Sequence, residues 1–100
     1  MALQLKKTKD VFEITGNLTA ENAISLKNHF DFFIDELDTI ILNLENVKAI
    51  DHTAAYTLEQ LYLDFMKSNK VIQIIGKENE NIVDSMKNTR TSYILSNDRI

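Results

Sequence analysis

The stretch Val47–Leu61, VKAIDHTAAYTLEQL, changes character halfway along. Beyond it the apolar residues Ala54, Ala55, Leu58, Leu61, Tyr62, Phe65 and Met66 recur at spacings of three and four, which predicts one face of a helix. Glu59, Gln60, Asp64 and Lys67 fall largely on its other side. Asp51, His52 and Thr53 therefore stand between a buried strand and the first turn of this helix. A first turn has unpaired N–H groups, and aspartate is among the residues that best satisfy them. Asp51 is expected to cap the helix by accepting from the amide of Thr53 or Ala54. Ser68-Asn69 closes it, asparagine being tolerant of the left-handed conformation found at helix ends.

Working outward, TIILNL from Thr39 is a nearly continuous apolar run, the pattern of a strand covered on both faces. VIQII from Val71 reads the same way and Gly76 stops it. A third, shorter helix is predicted from about Glu78, burying Ile82, Val83 and Met86. Toward the N-terminus, LQLKKTK and VFEIT each alternate in part between apolar and polar residues. With Lys9-Asp10 as a turn they form an antiparallel pair that Gly16 and Asn17 end. From Thr19, a predicted N-cap, the residues Ala23, Leu26, Phe30, Phe33, Ile34 and Leu37 make a second helical stripe. A terminal YIL is a candidate for a last edge strand. Strands joined through helices lie parallel with right-handed crossovers. The expected fold is a single small α/β domain over residues 1–100, with a mixed four- to five-stranded sheet covered by helices.

Composition removes several function classes. With 15 acidic against 11 basic residues the formal charge is −4, which leaves no excess positive charge to neutralise a nucleic-acid backbone. The cluster Lys6, Lys7 and Lys9 reads as protection of a strand edge against unwanted pairing. No cysteine is present, so disulfides, thiolate nucleophiles and cysteine zinc sites are absent. No apolar run approaches bilayer length and the N-terminus has no signal-peptide core, which points to a cytoplasmic protein without membrane insertion.

The search for chemistry is mostly negative. Gly16 and Gly76, the two glycines, are too far apart for a phosphate loop or dinucleotide fingerprint. His29 and His52 have no ligand spacing, so no metal or cofactor is expected. Asp51, His52 and Thr53 supply the residue types of a hydrolytic triad, but consecutive residues entering a helix project about 100° apart and do not face one another. Phe32 falls off its helical stripe, which makes it a candidate for exposed partner contact. Thr89, Arg90 and Thr91 read as a turn.

The run DTIILNLENVKAIDHTAAYTLEQLYLDFMKSNKVIQIIG resembles the centre of a STAS domain, the module named for sulphate transporters and anti-sigma factor antagonists. The likeness extends from FEITGNLTAENA through IIG to the last helix. It implies a non-enzymatic interaction module. Anti-sigma factor antagonists bind a kinase-like anti-sigma factor, and phosphorylation of a hydroxyl after the family aspartate switches that binding off. Carried over by position, Asp51 matches the aspartate, His52 the phosphoacceptor hydroxyl and Thr53 the residue after it. Ala54 and Ala55 stand where glycine and leucine are common. The expected partner surface is then Asp51 with Tyr56 and Thr57, and the regulatory positions are His52 and Thr53. The expected partner is a protein, an anti-sigma kinase-like factor or another protein of a STAS pathway. The alternative is an accessory or ligand-sensing module of a transport system.

Overall fold

The computed structural model of the chain describes residues 3–8, 11–32, 34–36 and 38–96. In chain order these form β1 (Gln4–Thr8), β2 (Val11–Leu18), α1 (Ala20–Phe32), β3 (Thr39–Asn43), β4 (Val47–Ile50), α2 (His52–Lys67), β5 (Val71–Ile75) and α3 (Glu80–Asn88). β1 lies antiparallel to β2, while β2–β3 and β3–β5 are parallel. This is the mixed α/β sheet expected.

β4 is the element absent from the predicted order. β3 runs beside the first part of β2, with Val11 opposite Ile41, and β4 runs beside the second part, with Leu18 opposite Ile50. The two behave as one strand broken at residues 44–46, where Glu45 N–H donates to the Asn43 side chain (2.9 Å) and Val47 N–H to the Leu44 carbonyl (3.1 Å). β2 accordingly extends past its pairing with β1, which ends at Thr15, through Gly16 and Asn17 to Leu18.

Between Gly16 and Asn17 the partner in β4 jumps from Val47 to Ala49, so Lys48 is an extra residue, a β-bulge. Gly16 has φ 110°, a conformation that glycine adopts without a Cβ clash. The bulge shifts the strand alternation by one. Val47 and Ile50 both point into the core, while Lys48 and Ala49 are both exposed.

Burial alternates along β3. Ile40 and Leu42 are fully buried, whereas Thr39, Ile41 and Asn43 are only half-buried. The sheet thus has one face closed by helices and one partly open, not the double cover expected. Ile41 is apolar on the open side, which makes the sequence run look continuous.

α2 lays Ala54, Ala55, Leu58, Leu61 and Phe65 on the sheet. Full burial of each large side chain is worth about 1.5–3 kcal/mol. Phe30 of α1 meets Phe12 of β2 edge-to-face at 4.9 Å. Met66, assigned to the core stripe from sequence, is 54% exposed, because it sits at the edge of the stripe in the last turn. Phe33, Leu37 and the Lys9-Asp10 turn lie outside the described residues.

The terminal YIL is not a strand. Ser92–Ile94 forms a 3-10 turn, and Leu95 makes a single parallel bridge to Ile74. Ile94 and Leu95 are both buried, the first within the 3-10 turn and the second at the bridge to Ile74.

Candidate functional site

Asp51 sits between β4 and α2 in extended conformation, its own N–H donating to the Leu18 carbonyl at 3.0 Å. Its Oδ1 accepts from Ala54 N–H at 2.7 Å, the cap expected from sequence. Its Oδ2 accepts from Ala20 N–H at 2.9 Å, and Ala20 is the first residue of α1. One carboxylate therefore caps two helices, and the negative charge lies at two partial positive helix ends. Thr19 adds its hydroxyl as acceptor for Asn22 N–H at 3.3 Å, the predicted α1 cap.

On this platform His52, Thr53 and Tyr56 are exposed, Tyr56 by 53%. Thr57 is half-buried, its hydroxyl donating to the Thr53 carbonyl at 3.0 Å. All five predicted site residues fall on the N-cap and the first two turns of α2. Both oxygens of Asp51 are engaged by backbone amides, so the carboxylate is not arranged to orient a histidine base. Among the described residues no group of three or more His, Cys, Asp or Glu could hold a metal ion. No described helix is long and apolar enough to cross a membrane.

The flanks of α2 are tied down. Toward α1, Lys27 pairs with Asp31 (2.6 Å) and Asp64 (3.2 Å), and Gln60 donates to Asp64 at 2.9 Å. The Asp31 hydrogen bond leads in raising the Lys27 pKa, against some desolvation. Burial pushes Asp64 up, but hydrogen bonds from Gln60 and Lys27 outweigh it and hold the carboxyl below its ordinary value. On the opposite flank Tyr93 donates to Glu59 at 2.6 Å, and the adjacent carboxylate pushes the phenol up to about 12.

Sequence reasoning missed Asn79 and Ser85. Asn79 is buried and caps α3, its Oδ1 accepting from Asn81 N–H at 3.0 Å. Its amide nitrogen donates to the carbonyls of Leu44 and Val47, both at 2.8 Å. Ser85 donates its hydroxyl to the Ile50 carbonyl at 3.1 Å, one residue before Asp51. An asparagine directly before Glu80 was the available cap signal. Phe32 is 81% exposed, as its off-stripe position implied. Thr89 and Thr91 form the predicted turn around Arg90, but they are buried, their hydroxyls bonded to each other at 2.9 Å.

No curated protein matches the chain. Among solved structures, unphosphorylated SpoIIAA, an anti-sigma factor antagonist, is 14% identical with a TM-score of 0.74, covering 98% of this chain and 89% of that one. A putative anti-sigma factor antagonist from Thermotoga maritima is 22% identical with a TM-score of 0.70, covering 94% and 83%. A structure described as Mglu is 15% identical with a TM-score of 0.64; it matches 79% of this chain, which spans only 20% of that one. At these identities the likeness establishes the SpoIIAA-like fold. The family described as STAS domain matches over residues 2–78, from the sheet edge to just before α3. The chain belongs to the STAS domain family.

Proposed function

We propose that this domain is a non-enzymatic protein-interaction module of the anti-sigma factor antagonist kind, docking a regulatory protein through the start of α2. The observation that carries this reading is the double cap. Asp51 ties the first amide of α1 and the first turn of α2 to one carboxylate, so His52, Thr53 and Tyr56 are displayed on a fixed base. A surface ordered before binding loses less entropy on docking. An exposed tyrosine supplies large contact area with few rotatable bonds, a property of interface anchors. SpoIIAA and the Thermotoga maritima protein share the fold and are described as antagonists, which supports the same class.

His52 stands where the family resemblance puts a phosphoacceptor hydroxyl, so the usual hydroxyl switch has no substrate and the interface is constitutive. Thr53 is the neighbouring hydroxyl. Phosphate there would bring nearly two negative charges beside Asp51.

The experiment compares affinity purification from native lysate with wild type, His52→Ala/Tyr56→Ala, Thr53→Glu and the distant surface variant Val71→Ala. The expected result is one discrete protein recovered by wild type and Val71→Ala, lost with the double variant, and no phosphate on Thr53 in cells. Equal recovery by every bait contradicts docking at α2. Phosphate on Thr53 together with loss in Thr53→Glu contradicts a constitutive interface.

A further inference from the structure

β4 leads directly into the docking surface proposed at the start of α2, yet it is half a sheet element. One edge pairs with β2, and among the described residues no strand lies along the other. Two side chains of the α3 region stand in for that strand. Asn79 donates to the Val47 carbonyl at the start of β4 (2.8 Å), and Ser85 donates to the Ile50 carbonyl at its end (3.1 Å). The bulge at Lys48 makes this possible, because the extra residue brings Val47 and Ile50, three apart, into the same phase.

We infer that Ser85 is a positioning residue for the docking surface: its hydroxyl fixes the Ile50 carbonyl and through it the direction in which Asp51, His52 and Thr53 leave the sheet. This rests on the docking role proposed for α2. The Ile50–Asp51 peptide group is held from both sides, its carbonyl by Ser85 and its N–H by the Leu18 carbonyl at 3.0 Å. Releasing one side lets that peptide plane tilt. The Asp51 carboxylate, two bonds from the backbone, then moves relative to the Ala20 and Ala54 amides it caps. α3 thereby becomes a handle on the α2 start, and it lies beyond the residues 2–78 that match the family. A change at α3 reaches the docking surface through this hydroxyl without altering any residue of that surface.

Amide hydrogen exchange by NMR on the isolated chain tests the inference without any partner, so its outcome is independent of whether docking occurs at α2. In Ser85→Ala the amides of Asp51, Ala54 and Ala20 are expected to exchange roughly two- to tenfold faster, the value of one net hydrogen bond. The interior amides of α1, such as Leu26 and Phe30, are expected to stay unchanged. Ser85→Thr, which keeps the hydroxyl, is expected to restore the wild-type rates. Unchanged rates at those three amides overturn the inference. Acceleration spread evenly over all core amides also overturns it, since that is loss of global stability and not of positioning.

Discussion

Replacing Asp51 by alanine removes acceptors from two helices at once. The Ala54 contact is 2.7 Å and part-buried, and the Ala20 contact is 2.9 Å and exposed. An ordinary N-cap is worth about 1 kcal/mol, and water takes over part of each lost bond at an exposed helix end. Two such caps give about 2 kcal/mol for Asp51→Ala. For a domain of this size that lowers Tm by about 8–16 °C. Asp51→Asn separates the two contributions. Its amide has one oxygen acceptor, so one cap survives and the cost is about 1 kcal/mol. Thr19→Ala, which removes only the 3.3 Å cap of α1, is expected to cost about 0.5 kcal/mol. Urea denaturation followed by circular dichroism gives the three midpoints. The order alanine at 51, asparagine at 51, alanine at 19 is the signature of a shared cap. An Asp51→Ala cost no larger than that of Thr19→Ala would refute the double-capping reasoning.

Asn79→Ala strips donors from two carbonyls and the α3 cap together, with an expected loss of about 2–4 kcal/mol in the same assay. Gly76→Ala places a Cβ 2.8 Å from Ile82 Cδ1 and 3.2 Å from Leu44 Cβ, which overpacks the β5–α3 junction and costs about 1–3 kcal/mol. Asp64→Asn is expected to cost about 0.5 kcal/mol at neutral pH. The folded Asp64 carboxyl is held low, so its contribution is present above the ordinary carboxylate range and is lost as pH falls through the folded value. The gap between wild type and Asp64→Asn should therefore begin to close only as pH falls below the ordinary aspartate value and vanish below the lower folded one.

The helices were legible because their apolar spacing survives in the structure. Ala54, Leu58, Leu61 and Phe65 are all buried where the 3.6-residue period puts them. β4 was not legible as a separate strand. It has four residues with a bulge inside, so its burial reads buried, exposed, exposed, buried, a spacing of three that mimics a helix face and lacks the alternation of a strand. The half-open sheet face was hidden by Ile41, whose apolar side chain made an alternating strand look doubly covered. At the site, Asp51 as cap of α2 follows from local sequence. Its second cap, on Ala20, lies 31 positions away in the chain and depends on how β2 and β4 align. The same holds for Ser85 and Ile50, 35 positions apart. Contacts of that kind leave no periodic trace in a single sequence.

Docking through the start of α2 is tested most directly by site-specific photo-crosslinking in cells. A photoreactive amino acid at Tyr56, exposed on the first turns of α2, is compared with one at Val71, exposed on β5 at the sheet. Both positions are more than half exposed, Tyr56 by 53% and Val71 by 57%, so neither substitution disturbs the core. The expected result is one discrete adduct from position 56, competed by unlabelled wild-type protein and absent from position 71. An adduct of the same mass from position 71 alone would place the docking surface on the sheet and contradict the role given to Asp51, His52, Thr53, Tyr56 and Thr57.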